Sequence, residues 1–358
     1  VRVALLSTPF VSVPPPRYGG TELIVSHLAR ELAQRGHDIV VYATGDSTIP
    51  KVELRFLYPK AVWPPNPWYE LDHAAFALRD IMRRGDVDVV HAHVAPALPL
   101  ASLTHVPLIY TVHHVRDDLL NPIYEHNQSP ALHLVAISDR QREQLGPEVK
   151  AQVVHHGLDV GVYPCGSGGA TAAFIGRFAI EKGVHDALDA AHVAHVPIVL
   201  AGQPHWKDRD YFEAEVQPRI GRAGVTWVGE VGHERKCAVL GAACATLVPI
   251  NWEEPFGLVM IESMLCGTPV LAFRRGSAPE IIDEGVTGWL VADVDEMAWR
   301  LKQLARGDQR VDRRACRARA ARRFSVARMV DRYLEIYSAA IDSAVLSALP
   351  DEAACPAS

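Results

Sequence analysis

Two carboxylates with seven residues between them, Glu254 and Glu262, stand in the stretch Asn251–Val270 (NWEEPFGLVMIESMLCGTPV). Pro255 and Gly257 mark a turn there, and the pattern predicts a helix from about Gly257 to Cys266. Glu254 then lies just ahead of the helix N-terminus, and Glu262 projects from its second turn. The free N–H groups near Phe256–Val259 and the positive end of the helix dipole form an anion site between the two acids. A ligand with hydroxyls at both ends and phosphate in the middle matches this arrangement. Two solvated helix acids around a tight turn are the plainer alternative.

A second constellation is Gly176–Gly183 (GRFAIEKG), directly after a predicted strand. Gly176 lets the backbone turn close to a ligand, and Arg177 and Lys182 place two cations at a strand's carboxyl end. Two cations can neutralise a departing diphosphate without a metal ion. Both are expected to be exposed in a cleft. The plain alternative, a surface loop with ordinary charges, is weakened by a matching Gly-Gly loop, Arg17–Glu22 (RYGGTE), after the first strand of the chain. Gly19 and Gly20 there allow close backbone approach to a ligand.

The elements that must position these residues follow from periodicity. Short apolar strands at Val3–Ser7, Asp38–Ala43, Val87–His91, Leu108–Val112, Leu132–Ile137 and Gln152–His156 alternate with helices. The pattern resumes at Ala172–Ile175, Ile198–Leu200, Val225–Val228, Thr246–Val248 and Val270–Ala272, with helices that include Tyr211–Ile220 and Met297–Ala305. Such alternation indicates parallel sheets covered on both faces. The 358 residues suffice for about two domains. Gly161–Gly169 reads as the linker. The expected fold is α/β, with two doubly wound, Rossmann-like domains at 1–163 and 170–322. A helix at Ser325–Ala340, in the segment 323–348, with Met329, Val330, Tyr333, Leu334 and Tyr337 on one face, crosses back to the first domain, and the tail from Leu349 frays. Ligands are expected at the carboxyl ends of the strands, facing the cleft.

Composition excludes several classes. With 36 basic and 42 acidic residues the net charge is −6, which argues against a nucleic-acid partner. Six scattered cysteines form no C-x-x-C pair, which fits a reducing cytoplasm. No secretory signal is read at Val1–Leu6, and Val89–Val112, free of Asp, Glu, Lys and Arg, is broken by prolines into pieces too short to span a bilayer. A soluble protein is expected. The arginine run Arg310, Arg313, Arg314, Arg317, Arg319, Arg322 and Arg323 reads as a solvated helix face, and any membrane contact as peripheral at most. Among the 17 histidines, His91 lies within a strand and reads as a hydrogen-bonded core residue, whereas His93, at the strand end, is a cleft candidate. His155 and His156 read as structural at the domain junction. His91 and His93 as metal ligands lack a completing carboxylate. Asp86-Val87-Asp88 precedes a strand, on the wrong side for a cleft, and Asp293-Val294-Asp295 reads as a helix cap. No metal site and no resident cofactor are expected.

Taken in order along the chain, these segments resemble glycosyltransferase family 4, retaining transferases of the GT-B fold that use nucleotide sugars. The matching stretches are YGGTE (Tyr18–Glu22), DVVHAH (Asp88–His93), PLIYTVHH (Pro107–His114), VAISD (Val135–Asp139), VVHHGLD (Val153–Asp159) and GRFAIEKG. They continue through VTWVGEV (Val225–Val231), the Glu254–Glu262 block with its trailing Gly-Thr-Pro, GSAPEII (Gly276–Ile282) and GVTGWLV (Gly285–Val291). The resemblance implies that Glu254 touches donor-sugar hydroxyls and Glu262 the ribose. It implies that Arg177 and Lys182 clamp the diphosphate, that the Gly19-Gly20 loop closes over it, and that His113 stands near the reacting carbon. Trp227, Gly229 and Val231 fall at the edge of the base pocket, and Gly176, Phe256, Gly257, Leu258 and Val259 in the donor site. A nucleoside-diphosphate sugar is the implied co-substrate, with a UDP-sugar as default. The acceptor, whether small molecule, glycan or lipid-linked, is not legible. Trp63, Trp68, Tyr69 and Tyr124 in the first-domain loops either stack on it or are packing. A sugar-nucleotide epimerase of the same fold and a non-catalytic sugar-nucleotide binder stay open. So does a metal-dependent hydrolase built on His91 and His93.

Overall fold

The computed structural model describes residues 1–17, 19–115 and 118–348; Tyr18 and the tail from Leu349 lie outside them. Strands β1 (Arg2–Leu6), β2 (Asp38–Tyr42), β3 (Glu53–Arg55), β4 (Val89–Ala92), β5 (Leu108–Thr111), β6 (Leu132–Ala136) and β7 (Ala151–Val153) build a seven-stranded sheet in the order β3-β2-β1-β4-β5-β6-β7. A six-stranded sheet follows from β8 (Thr171–Ile175), β9 (Ile198–Ala201), β10 (Val225–Trp227), β11 (Ala243–Val248), β12 (Val270–Phe273) and β13 (Gly288–Val291), in the order β10-β9-β8-β11-β12-β13. The central pairings β1·β2, β1·β4, β8·β9 and β11·β8 are parallel. This is the expected pair of doubly wound α/β sheets. The strand order reverses between β1 and β4 and again between β8 and β11, and these reversals open crevices at the carboxyl ends of the strands.

The strands read as unbroken apolar runs because both faces are covered. Val3 and Leu5 of β1 join one buried cluster, while Ala4 and Leu6 join another on the opposite face. The first of these clusters does not stop at the domain boundary. It also holds Phe256, Met260 and Ile261 of the second half, and Phe324, Val330, Tyr333 and Tyr337 of the returning segment. Helix Val326–Ala348 crosses back as expected and is longer than the spacing predicted. Its entry runs beside the outgoing chain: Leu158 N–H donates to Phe324 O, and Val326 N–H donates to Leu158 O (2.9 and 3.0 Å). A Cβ at Gly157 would lie 2.3 Å from Ser325 O, so only glycine lets the two crossings lie this close.

Several elements differ from the sequence expectation, among them β13, a strand that the spacing did not mark. β3 is a three-residue edge strand, ELR, too short and too charged to show alternation. The helix expected over Tyr211–Ile220 is broken into a turn at Arg209–Tyr211, a π-helical stretch at Phe212–Val216 and a 3₁₀ turn at Gln217–Arg219. Pro218, which has no N–H to give, stands in the last of these. The arginine run is not simply a solvated face. Arg313 donates to the carbonyls of Gly166, Ala243, Gly241 and Cys266, and Arg317 donates to those of Tyr163, Val160 and Leu265. Arg319 and Arg323 pair with Asp283, and Arg310, Arg314 and Arg322 are the exposed members. The helix Arg313–Arg323 is thus a polar clamp on the ends of the second sheet and the linker. Periodicity missed it because its partners are backbone carbonyls far away in sequence.

Removing a donor from several enclosed carbonyls costs more than removing a surface charge. Arg313→Ala should therefore lower unfolding stability by at least about 2 kcal/mol, whereas Arg314→Ala should change it by less than about 0.5 kcal/mol. Chemical denaturation of the two variants beside wild type checks this.

Candidate active site

The two crevices face one another, and the predicted residues collect there. From the second sheet, the loop after β8 carries Arg177 and Lys182, and the loop after β11 carries Glu254. Asn251 N–H donates to Glu181 O (2.8 Å), which ties these two loops together. Lys182 Nζ is ion-paired to Glu254 Oε2, which also accepts from Trp252 Nε1 at 2.8 Å, and the ammonium lies 4.7 Å from the Trp252 ring centre. Glu254 owes its place to Gly276, whose φ is +53° and where a Cβ would come 2.4 Å from Glu254 N. Arg177 pairs with Glu181 at 2.5 Å. The side chains of Arg177 and Lys182 are only 30% and 18% accessible, so both are more enclosed than expected.

The helix between the two carboxylates is Leu258–Leu265, preceded by Gly257 at φ +78°, and it has no side-chain cap. Its first N–H groups therefore stay available to an anion. Gly176 lies in the loop after β8, and Val259 is half-buried on the first helical turn. Phe256 enters through its backbone alone. Its ring is 2% exposed and packs on His155, His156 and Phe324. Glu262 is not a solvated acid. It is 4% exposed, and its Oε1 accepts from Tyr163 Oη (3.1 Å) and from Lys236 Nζ. Tyr163, Lys236 and Trp252 escaped the sequence reading; neither Tyr163 nor Lys236 stands in a motif, and only the fold brings them to Glu262. Trp227 is 38% exposed and its Nε1 donates to Gly202 O at 2.8 Å, while Gly229 O accepts from Gly202 N (2.8 Å). Val231 follows at the same edge, half-buried.

From the first sheet comes the Gly19-Gly20 turn that opens helix Gly20–Gln34. A Cβ at Gly19 would lie 2.7 Å from Pro15 Cβ, and one at Gly20 would lie 3.4 Å from Leu258 Cδ1 of the opposite domain. Arg17 reaches across to Glu230 (3.3 Å). The histidines lie deeper. His91 bonds Tyr337 Oη through Nδ1 and Thr111 Oγ1 through Nε2, both at 2.7 Å, so neither nitrogen is left for a metal. His93, 2% exposed, bonds His113 through Nδ1 (2.8 Å), and His113 stacks on His156 at 5.4 Å. Burial pushes His91 and His156 down to about 3, and His93 and His113 well below the usual histidine value. Asp86 pairs with Arg84 and Arg2 on the far side of the sheet, and Asp293 Oδ1 caps the helix Val294–Arg306, as read from sequence. Of the aromatic residues in the first-domain loops, Tyr124 is packing at 1% exposed, whereas Trp63 and Trp68 are 64% and 75% exposed.

Glu280 holds the two faces together. Its carboxylate accepts from the backbone N–H groups of Asp139 (2.8 Å) and Arg140 (2.7 Å) and from His155 Nε2 (3.1 Å). A carboxylate oxygen of Asp139 also lies within 4.8 Å of ligand atoms of His155 and Glu280.

Two family models divide this chain. The one described as Glycosyltransferase Family 4 matches residues 18–162, and the one described as Glycosyl transferases group 1 matches residues 165–323. The chain is 28% identical to the glycogen synthase of Mycobacterium tuberculosis (strain CDC 1551 / Oshkosh), covering 86% of this chain and 87% of that protein. It is also 28% identical to the D-inositol 3-phosphate glycosyltransferase of Mycolicibacterium smegmatis, covering 95% and 91%. Among solved structures, a glycosyltransferase involved in avilamycin A biosynthesis superposes with a TM-score of 0.71 at 26% identity, covering 96% of this chain and 98% of that one.

Burial alone raises the Glu280 carboxyl, but the hydrogen bonds from His155, Arg140 N–H and Asp139 N–H outweigh it and hold the group below the ordinary glutamate range. A lowered folded value means that the stabilisation is full above the unfolded value, about 4.3, and is lost as pH falls through the folded one. Glu280→Gln should destabilise the protein at pH 7 by about 1.5–3 kcal/mol, and the gap to wild type should shrink below about pH 4. Scanning calorimetry at the two pH values reads both effects.

Proposed function

The chain belongs to glycosyltransferase family 4, and from that premise we propose that it moves a sugar from a nucleoside-diphosphate donor to an acceptor with retention of anomeric configuration and without a divalent metal. The observation that carries this reading is the Lys182–Glu254 pair beside the uncapped helix at Leu258, at the point where the strand order reverses. On donor binding, the diphosphate takes over Lys182 and Arg177 from their carboxylate partners, and the first N–H groups of the helix face the same charge. Breaking the bond between the anomeric carbon and phosphate develops negative charge on the diphosphate and positive charge on the sugar. Arg177, Lys182 and the helix N-terminus stabilise the former as it forms, so the charge a metal would supply is already present.

Glu254, freed from Lys182, turns to the sugar hydroxyls. Glu262 takes the ribose, with Tyr163 and Lys236 fixing its orientation through Oε1. Trp227, Gly229 and Val231 border the base, and UDP is the default. The new bond forms on the face from which the leaving group departs, with a phosphate oxygen accepting the acceptor proton and His113 alongside the reacting carbon. The Arg17–Glu230 pair across the cleft, with Gly20 facing Leu258, keeps water from the donor.

Supplied with a UDP-sugar and an acceptor, the enzyme should give a product of unchanged anomeric configuration, read by NMR, at a rate insensitive to EDTA. Arg177→Ala or Lys182→Ala should slow turnover by about two orders of magnitude. Rates within a few-fold of wild type for both would remove the clamp, and an altered sugar in the absence of acceptor would point to an epimerase.

The two carboxylates separate by another measurement. A ribose contact is the same in ground and transition states, whereas a contact to the transferred sugar changes during reaction. Glu262→Gln should weaken binding of free UDP, whereas Glu254→Gln should leave it nearly unchanged while lowering kcat on the intact donor. Calorimetry with UDP decides; equal losses at both positions, or a loss at Glu254 alone, would overturn the assignment.

A further inference from the structure

His93 and His113 share one hydrogen bond, between His93 Nδ1 and His113 Nε2, at 2.8 Å. His93 Nε2 is buried, with no hydrogen-bond partner among the described residues. Its ring lies 4.3 Å from that of His91, centre to centre, and His91 is itself pinned at both nitrogens by Tyr337 and Thr111. Thr111 Oγ1 is bonded in turn to Tyr333 Oη at 2.8 Å. The returning helix therefore fixes His91, and His91 walls in His93.

Two proton arrangements satisfy the shared bond. In one, His113 Nε2–H donates to His93 Nδ1, which leaves His93 with its proton on Nε2 as a buried N–H that has no acceptor. In the other, His93 Nδ1–H donates to His113 Nε2, and the buried Nε2 of His93 is a bare nitrogen. Orphaned buried N–H groups are rarer than under-satisfied acceptors, so the second arrangement is favoured. It also puts the remaining proton of His113 on Nδ1. Among the described residues Nδ1 makes no hydrogen bond, and His113 is the partly accessible member of the pair.

We propose that His93 is a positioning residue that holds His113 as its Nδ1–H tautomer, so that His113 offers the donor sugar a hydrogen-bond donor and not a base. The inference rests on the placement of His113 beside the reacting carbon made above. Neither ring needs to become charged, which suits a buried stack of four histidines. His93 touches no substrate and acts only through the ring it orients.

The wild-type tautomer can be read directly from long-range 1H–15N spectra of histidine-labelled protein, with His113 assigned by its loss in His113→Ala. A protonated Nδ1 and a bare Nε2 are expected. His93→Phe should abolish that fixed pattern. His93→Asn, whose amide nitrogen can stand where Nδ1 stood, should restore it. With UDP-glucose as the probe donor, His93→Phe should lower kcat roughly ten- to a hundred-fold with KM little changed, and His93→Asn should recover most of the loss. A protonated Nε2 on wild-type His113 would overturn the proposal whatever the variants do. So would a His93→Phe enzyme as fast as wild type while His113→Ala is slow. If His113→Ala itself turns over normally, the placement of His113 fails first and takes this inference with it.

Discussion

A site divided between two sheets has no fixed geometry unless something holds the sheets face to face. Here Glu280 meets much of that constraint, taking two backbone N–H groups and a histidine from the opposite domain. Around it the rings of His155, His156 and Phe324 pack on Phe256, each with its centre within about 6 Å of that ring's. Phe256 is two residues from Glu254, and His156 stacks on His113, so the packing that joins the domains also sets the distance between the two halves of the site. The returning helix adds a third support, since its tyrosines reach the histidine stack from behind.

Charge in the cleft is arranged in pairs. Lys182 with Glu254, Arg177 with Glu181, Lys236 with Glu262 and Arg17 with Glu230 each set one cation against one carboxylate. A buried ion pair contributes little net stability, because the desolvation of both members offsets their attraction. What such pairs provide is preorganisation: each cation is held in one place by its carboxylate. The Glu262 pair is of a different kind. Its carboxylate is buried and has a tyrosine as well as a lysine, which suits a fixed binding surface better than a group that must move.

The rings of His91, His93, His113 and His156 form a stack deep in the cleft. Burial disfavours their charged forms, and hydrogen bonds to hydroxyl groups and to each other hold His91, His93 and His113 in place. The arginine-rich helix after the second sheet was open to misreading. Four of its six arginines are spent on carbonyls or on Asp283, not on solvent.

The sequence by itself determined the local part of this protein. Apolar strands alternating with helices gave two parallel α/β sheets, and residues within one loop, such as Arg177 with Lys182 or Glu254 with the following helix, were placed correctly relative to each other because few bonds separate them. Glycine was legible too, at Gly19-Gly20 and Gly257, since only a close approach or a left-handed backbone calls for it there. Contacts between residues far apart in sequence leave no periodic trace, and these the tertiary structure alone decided. Lys236 and Tyr163 on Glu262, Glu280 on the backbone of Asp139 and Arg140, and His93 on His113 all depend on the relative placement of strands and domains. That placement is set by burial summed over whole faces and not by any local pattern. For the same reason the sequence could mark His93 as a cleft candidate but could not say which nitrogen it turns toward its neighbour.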